Sequence, residues 1–403
     1  MSATSDSTAP ARVDPDAWLA RPGIRRLLGA LDAAEGSCRF VGGAVRDTLL
    51  GRAIEDLDLA TLHVPDAVVS RLSAARVKTV PTGIEHGTIT AVSSGTVVEV
   101  TTLRSDVSTD GRRATVAFTD DWAADASRRD FTINALYADP FTGQIFDYFD
   151  GLADIAARRV RFIGDPLARI AEDHLRILRF FRFHARFGAG APDAAGLAAC
   201  AARANDLMAL SRERIADELT KLLAVPDPSP TIAIMLDAGI FAPVLPEIVA
   251  DAPARIAALA RAETEAGARH APLRRLAAML PPDPELATAI AARLKLSNKA
   301  KKRLGLAVAA LDPAENPRAL AYAVGTEAAV DRLLLAGRPV EAADIAAWPI
   351  PRLPISGGGL IARGVPEGPE VARTLRAIDR AWVAAGFPTG PEFDTLVDAA
   401  LQS

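Results

Sequence analysis

Cysteine is almost absent from the sequence, because Cys38 and Cys200 are the only two among 403 residues. One pair of thiols cannot form a disulfide framework, so we expect reduced cysteines and a cytoplasmic protein. No apolar run reaches the roughly 18–20 residues that a membrane span needs. Met1–Pro15 is polar and lacks the apolar core of a signal peptide, so it predicts a disordered leader.

A strong overall charge is also missing, since the formal net charge is only −4. The whole-chain charge therefore does not indicate a nucleic-acid partner. The distribution of charge is more informative, because eight arginines fall between Arg158 and Arg186. This local concentration of basic charge indicates an anionic ligand near that segment.

The chain contains no convincing fixed-period repeat, but its two halves differ in pattern. From about Ser37 to Asp150, short runs of β-branched and aromatic residues alternate with turns and short helical stretches. From Leu167 onward, apolar residues recur at three- and four-residue spacing, and proline clusters interrupt them. The sequence therefore predicts an α+β fold, with a small α/β domain followed by a helical half.

The first candidate site begins with Phe40-Val-Gly-Gly-Ala-Val-Arg. Phe40 and Val41 read as the end of a strand, and a helix is predicted from about Ala44. Gly42 and Gly43 allow a tight turn and a close approach of the backbone to a ligand. The N–H groups at the start of the helix favour a phosphate, and we expect Arg46 to point toward a phosphate or ribose.

Two acids, Asp56 and Asp58, follow shortly after this turn. Residues two apart in a strand face the same side, and two adjacent carboxylates repel unless a cation lies between them. Magnesium prefers carboxylates combined with substrate phosphates, so Asp56 and Asp58 are the predicted metal ligands. Glu99, on a separate predicted strand, is the candidate third acid. An isolated Asp-x-Asp is usually a solvated turn, but its spacing after Gly-Gly favours a site.

The segment Gly164–Phe187 predicts one helix that opens at Pro166. Five arginines on this helix fall within an arc of about 140° at 3.6 residues per turn, and they would repel without an anion over them. Asp173 and Arg176 lie three residues apart and are expected to be neighbours on one face. Asp accepts hydrogen bonds and Arg donates them, so this pair matches the amino group and acceptor of cytosine and adenine.

Together these motifs resemble the transfer-RNA CCA-adding enzymes and bacterial poly(A) polymerases, in the nucleotidyltransferase superfamily that includes DNA polymerase beta. The match is to the class II branch and is dense from Phe40 to Leu223. Ser127-Arg-Arg-Asp-Phe-Thr-Ile-Asn is similar to the second motif of this family, and Glu172-Asp-x-x-Arg is similar to its base-reading motif. Ser211–Leu223 resembles the last motif, which we interpret as a structural support.

The resemblance implies roles for individual residues. It implies that Asp56 and Asp58 hold two magnesium ions and that Glu99 is the third catalytic acid. The nucleotide-binding residues that we assign from the motifs and the resemblance are Gly42, Gly43, Arg46, Arg129, Asn134, Asp173, Arg176, Arg179 and Arg182. Among these, Arg129 would bind the triphosphate, Asn134 would help to recognise the ribose, and Asp173 and Arg176 would read the base.

The expected architecture is a polymerase-beta-like head with a small, mostly antiparallel sheet, followed by an all-α neck, body and tail. The predicted boundaries are 1–22 for the leader and first helix, 23–150 for the head, 151–225 for the neck, 226–300 for the body and 301–403 for an RNA-binding tail. The expected reaction adds CCA to the 3′ end of tRNA from CTP and ATP. We expect no membrane association and no obligate protein partner.

Other interpretations of the sequence remain open at this point. A poly(A) polymerase or an enzyme that adds only part of CCA would carry similar motifs, although Thr101–Arg113 resembles the intact flexible loop of CCA-adding members. A non-catalytic RNA-binding helical protein is a further alternative, against which the intact Asp56 and Asp58 argue. The basic segment Lys295–Arg303 could bind RNA phosphates or be a solvated face. Gly359 stands where the resembled C-terminal element has an Asp, which weakens a role for that loop.

Overall fold

The computed structural model describes residues 11–110 and 113–402. Its contacts divide the chain into two compact units. The first consists of residues 1–218 with 237–244, and the second of residues 219–236 with 245–403. The predicted head thus falls in the first unit, whereas the predicted neck is divided, with residues 151–218 in the first unit and 219–225 in the second. The finer boundaries between neck, body and tail stay predictions, and most of the predicted disordered leader lies outside the described residues.

The strands of the first unit form one mixed sheet and one separate hairpin. In chain order the described strands are β1 (Cys38–Val41), β2 (Leu57–Thr61), β3 (Lys78–Gly83), β4 (Thr88–Ser93), β5 (Thr96–Thr102), β6 (Arg104–Asp110), β7 (Arg113–Phe118), β8 (Leu136–Ala138) and β9 (Ile145–Asp147). The sheet has the order β3-β4-β5-β2-β1-β8-β9, and β6 pairs with β7 alone. Among these pairings only β2 with β5 is parallel, so the prediction of a mostly antiparallel sheet is confirmed.

Short helices flank the sheet and connect its strands. They are α1 (Asp16–Leu19), α2 (Ile24–Ala30), α3 (Gly43–Leu49), α4 (Pro65–Ala74), α5 (Trp122–Ser127) and α6 (Gly151–Ala156). Side chains of α1, α2, α3 and α4 pack with the buried face of the sheet in one apolar core. Trp18 on α1 is fully buried there, with its ring 4.6 Å from that of Phe40 on β1. Its indole Nε1 donates a hydrogen bond to the Pro140 carbonyl.

The rest of the described chain is helical. These helices are α7 (Pro166–Glu172), α8 (Arg176–Phe187), α9 (Ala194–Ala202), α10 (Arg212–Leu223), α11 (Ser229–Asp237), α12 (Ala252–Glu265), α13 (Pro272–Met279), α14 (Pro284–Arg293), α15 (Asn298–Val308), α16 (Pro317–Val324), α17 (Thr326–Leu335), α18 (Pro339–Ala347), α19 (Gly357–Ala362), α20 (Pro369–Ala384) and α21 (Pro391–Leu401). The prediction of a helical second half is therefore confirmed.

Three sequence features can be placed on these elements. Gly359 lies inside α19, where its N–H donates to Ser356, so that stretch is a helix and not a loop. Both cysteines are buried and free, as expected. Within the described ranges we find no helix that has both the length and the apolar character needed to cross a membrane.

Burial of Trp18 leads to a stability prediction. Trp18→Ala should lower the free energy of unfolding by about 3–5 kcal/mol, because it removes a large buried ring. Trp18→Phe should cost less, since it keeps an aromatic ring against Phe40 and removes only part of the buried ring volume, together with the hydrogen bond to Pro140. Urea unfolding followed by circular dichroism measures both. Trp348→Ala is the matched control, because Trp348 is only partly buried, and an equal decrease there would contradict the prediction.

Candidate active site

The predicted acids lie at the centre of the sheet. Strands β2 and β5 run parallel, and Asp58 is the direct register partner of Glu99. Their chain neighbours Leu57, Leu59 and Val98 are buried in the apolar core, so both carboxylates emerge on the opposite face. Asp56 is exposed just before β2 begins.

The electrostatics of Asp58 reflect this crowding of acids. Burial and the nearby negative charges of Glu99 and Asp56 raise the pKa of Asp58 to about 6, while Arg129 and Arg46 oppose the shift. A hard divalent cation prefers oxygen ligands, and when bound here it would relieve the repulsion between these carboxylates. Among the described residues no three acidic, histidine or cysteine side chains form a ready-made cage. Magnesium in proteins commonly combines one or two carboxylates with substrate phosphates and water.

The glycine turn at Gly42 brings the backbone close to both Asp58 and Arg129. Gly42 has φ +67°, which favours glycine, and it joins β1 to α3. A Cβ on Gly42 would lie 3.6 Å from Nη1 of Arg129 and 3.8 Å from Oδ2 of Asp58. The turn thus keeps the approach to both groups open.

Arg46 has protein partners within the site. It is buried, and its Nε and Nη2 donate to Asp47 at 2.9 and 3.1 Å, while its Nη1 donates to Oδ1 of Asn134. It still lines the cleft beside Gly43. Asp47 and Asn134 take three of its five N–H donors, so two remain for a ligand, and the role of Arg46 toward a phosphate or ribose stays a prediction.

Arg129 is oriented by a buried carboxylate and a phenol. Its Nε donates to the hydroxyl of Tyr137 at 3.2 Å and its Nη2 to Asp125 at 3.1 Å. Tyr137 in turn donates to Asp125 at 2.6 Å. Asp125 also accepts from Arg128 and from the backbone N–H of Arg104 at the start of β6. These contacts leave the Nη1 of Arg129 directed toward Gly42.

Asp125 is charged in this arrangement in spite of being almost fully buried. Burial alone would raise the pKa of Asp125, but the positive charges of Arg129 and Arg128 and the hydrogen bond from Tyr137 outweigh it and lower the pKa to about 2. The carboxylate therefore provides a fixed negative charge that holds both guanidinium groups.

A second buried carboxylate, Asp130, links the head to α8. It accepts from its neighbour's backbone at Phe131, from the side-chain amide of Asn134 at 2.9 Å and from Nε of Arg179 at 2.9 Å. Burial opposes its charge, but Arg179 and these hydrogen bonds lower the pKa of Asp130. Arg46, Asn134, Asp130 and Arg179 thus form a continuous chain of contacts within the cleft.

The prediction of one helix from Pro166 is wrong. Helix α7 ends at Glu172, Asp173 has extended backbone angles (φ −151°, ψ 108°), and α8 begins at Arg176. The reason is local, because the Asp173 carboxylate accepts from the N–H of Leu175 at 3.1 Å and so replaces a helical backbone hydrogen bond. Asp173 and Arg176 are therefore not stacked on one helix face, although both line the cleft.

The arginine cluster also differs from the expectation. Arg179 pairs with Asp130, Arg182 with Glu218 on α10, and both Arg176 and Arg169 pair with Glu172. Protein carboxylates thus supply most of the negative charge that we expected from a ligand. Each pair also fixes the direction of its guanidinium group.

A cleft of about 440 Å³ brings most of the predicted residues together. It is lined by Gly42, Gly43, Arg46, Asp58, Arg129, Asp130, Asn134, Asp173, Leu175, Arg176, Arg179, Phe183 and Arg214. Of the predicted residues, Asp56, Glu99 and Arg182 do not line it.

Sequence reasoning missed four lining residues, of which Arg214 is the most informative. Its Nη2 donates to Oδ2 of Asp173 at 2.8 Å, so α10 contributes to the cleft and does more than support it. The signal in the sequence was the cation in the first turn of α10, where the helix dipole disfavours positive charge. Leu175 and Phe183 were missed because nothing in their local pattern distinguishes them from core residues, and Asp130 because an Asp beside two arginines also fits an ordinary ion pair.

Comparisons with known proteins agree with this geometry. Residues 38–161 match the family model described as the poly A polymerase head domain, and residues 193–251 match a probable RNA and SrmB-binding site of polymerase A. The mouse protein called CCA tRNA nucleotidyltransferase 1, mitochondrial, is 34% identical over 384 residues, which cover 91% of this chain and 87% of the relative. A CCA-adding enzyme of Lacticaseibacillus paracasei is 34% identical over 375 residues, covering 90% and 92%.

Solved structures give the same result for the fold. The crystal structure of the Bacillus stearothermophilus CCA-adding enzyme in complex with CTP superposes with a TM-score of 0.75 and 29% identity, and it covers 95% of this chain and 98% of that one. The Thermotoga maritima CCA-adding enzyme complexed with tRNA superposes with a TM-score of 0.69 at 20% identity, covering 97% of each chain, which supports the fold alone. With relatives this similar over almost its whole length, the chain belongs to the family of CCA-adding tRNA nucleotidyltransferases.

Proposed function

We propose that the chain adds CCA to the 3′ end of tRNA from CTP and ATP, without a nucleic-acid template and with release of pyrophosphate. The observation that carries this proposal is the composition of the cleft. It combines Asp58 and Arg129, which suit phosphate chemistry, with Asp173 and Arg176, which suit the edge of a base. The names of the relatives support the same activity.

Two groups of residues in the cleft have different roles in the proposal, since Arg129 binds phosphate and Asp173 with Arg176 binds the base. Arginine suits phosphate because its planar fork gives paired, charged hydrogen bonds. Nη1 of Arg129 is oriented for this contact by Asp125 and Tyr137. An ionised Asp173 offers only acceptors and Arg176 only donors, so together they complement cytosine and adenine and oppose guanine and uracil. Fixed partners on both sides favour positioning as the main source of catalysis.

Magnesium is the metal that the donor set fits best. Asp56 and Asp58 would hold two ions, and Glu99 is the neighbouring acid on β5. When bound, such ions would supply Lewis-acid stabilisation of the attacking hydroxyl and the leaving pyrophosphate. The protein's own contribution is to present the carboxylates of Asp58 and Glu99 on one face of the sheet, with Asp56 directly before β2.

The range of nucleotides added separates the related activities. The β6–β7 hairpin contains most of Thr101–Arg113, whose resemblance to the flexible loop of CCA-adding members supports complete CCA addition, although residues 111–112 lie outside the described residues. Incubation of tRNA lacking CCA with magnesium and each labelled nucleotide tests the proposal. Addition of two C residues and one A is expected, whereas long A tails or C addition alone would assign a different activity. The cytoplasmic location also stays a proposal.

The metal assignment gives a prediction. Asp56→Ala and Asp58→Ala should each abolish nucleotide incorporation but leave the fold and tRNA binding largely intact, because these residues act on the chemical step. Glu99→Ala should also reduce incorporation. Incorporation assays combined with tRNA binding and circular dichroism measure this. Near-normal incorporation by either Asp variant would show that the metal assignment is wrong.

The base-reading assignment gives a second prediction. Asp173→Ala and Arg176→Ala should lower CTP and ATP incorporation about 10- to 150-fold, because each removes a hydrogen bond to a charged group that is worth roughly 1.5–3 kcal/mol. UTP and GTP should gain in relative terms, because Asp173→Ala removes a mismatched acceptor and Arg176→Ala removes a mismatched donor. Single-nucleotide incorporation with all four triphosphates on the same tRNA measures this. A wild-type preference for C and A in both variants would exclude base reading by these residues.

The orientation of Arg129 gives a third prediction. Asp125→Asn removes the charge that holds Arg129, so KM for CTP and KM for ATP should rise by a similar factor, about tenfold for a weakened charged contact. The preference for C and A over U and G should stay unchanged, because Asp173 and Arg176 are untouched. Steady-state kinetics with each nucleotide measure both properties. A weaker base preference with unchanged KM would contradict this role.

A further inference from the structure

One aromatic ring at the end of α8 is surrounded by three guanidinium groups. The ring belongs to Phe187, which is buried, and the guanidinium carbons of Arg46, Arg52 and Arg186 lie 4.1, 5.1 and 5.3 Å from its centroid. Each contact is within cation–π range. A single phenylalanine therefore gathers three positive charges.

These three charges differ in how they are neutralised. Arg46 forms an ion pair with Asp47. Arg52 and Arg186 have no carboxylate within ion-pair distance among the described residues. By contrast, Arg176, Arg179 and Arg182 on the same helix each pair with an acid. Arg186 is thus the last arginine of α8, and unlike the arginines before it on this helix it has no carboxylate partner among the described residues.

Arg52 and Arg186 are also held together. Nη2 of Arg52 donates to the backbone carbonyl of Arg186 at 3.0 Å. Both side chains are accessible to solvent, since Arg52 is exposed and Arg186 is partly exposed. Two accessible guanidinium groups fixed against one ring are preorganised for an anion, because little side-chain freedom remains to be given up on binding.

Their position relative to the cleft indicates which anion. Arg46 lines the cleft and contacts the same ring, so Arg52 and Arg186 lie beside the cleft. Neither residue lines the cleft itself. The triphosphate of a nucleotide bound near Arg129 and Asp58 would be served by groups inside the cleft. A strand that enters the cleft on the side of Phe187 would pass both guanidinium groups before it reaches the cleft.

We propose that Arg52 and Arg186, held on Phe187, bind a backbone phosphate of the RNA strand whose 3′ end enters the cleft. The proposal rests on the proposed function, since it names the RNA contact of that same site. Phosphate contacts by arginine fix the register of a nucleic acid without reading its sequence. Here the contact would hold the 3′ end in line with the incoming nucleotide.

Kinetics with separate variation of RNA and nucleotide test this assignment. Arg52→Gln and Arg186→Gln should each raise KM for tRNA lacking CCA about three- to tenfold, and the double variant more, at low salt. KM for CTP and kcat at saturating tRNA should stay close to wild type. The dependence of log KM on log salt should become shallower by about 0.7 for each phosphate that the protein no longer neutralises. Arg52→Lys and Arg186→Lys should restore part of the tRNA affinity.

Arg26→Gln is the matched control. Arg26 is an exposed arginine of the same unit with no ion pair among the described residues, on α2, which packs against α4 and β4 and not beside Phe187. Arg26→Gln removes one positive charge, as each test variant does. An equal rise in KM for tRNA in this control would show that only the net charge matters, and it would overturn the proposal. Unchanged KM for tRNA and unchanged salt dependence in the double variant would also overturn it, as would a rise in KM for CTP alone.

Direct binding separates this proposal from the proposed function. Fluorescence anisotropy of labelled tRNA lacking CCA, without nucleotide, compares the wild type, the double variant and Arg26→Gln. If the wild type binds tRNA but adds no nucleotide, the proposed function fails, and weaker binding by the double variant alone still supports the phosphate contact. Equal binding by all three proteins overturns the contact even if the wild type adds CCA.

Discussion

The cleft depends on two carboxylates that are removed from solvent and kept charged by arginines. Asp125 and Asp130 lie on either side of the Arg128–Arg129 pair, and each accepts several hydrogen bonds. A buried carboxylate without such partners would be strongly unfavourable, and removal of one partner from a buried ion pair is more costly than the pair is stabilising. The chain therefore cannot place the arginines of the cleft independently, and the direction of each guanidinium that lines the cleft is set by an acid.

This constraint explains why so many arginines can share one region. Arg129 uses two of its three nitrogens on Asp125 and Tyr137, which leaves one for the cleft. Arg179 and Arg182 are held by Asp130 and Glu218 in the same way. Because the partners hold these groups before any ligand arrives, little reorganisation is needed when a charged substrate enters. Electrostatic preorganisation is thus built from ion pairs that also join separate helices and loops of the first unit.

The sequence predicted the strands and helices better than it predicted which side chains form ion pairs. The strands around Phe40, Thr88 and Thr96 and the helical second half follow from local pattern. Glu99 was only a candidate from the sequence, because its pairing with Asp58 joins strands far apart in the chain. The contacts that orient the site join residues far apart in the chain, such as Asp130 with Arg179 and Arg182 with Glu218. No local pattern specifies which acid meets which arginine, so the arginine cluster was assigned to a ligand.

The break between α7 and α8 was missed for a related reason. Helical propensity and apolar spacing continue through Asp173, and only the hydrogen bond from Leu175 to its side chain ends the helix there. The break has a consequence for the proposed base reading, because a carboxylate on extended backbone is not confined to a helix face. One of its oxygens is occupied by Leu175 and the other by Arg214, yet each retains a free lone pair. Asp173 is therefore fixed by its two partners and still able to accept a hydrogen bond from a base, which a freely rotating Asp on a continuous helix would do less selectively.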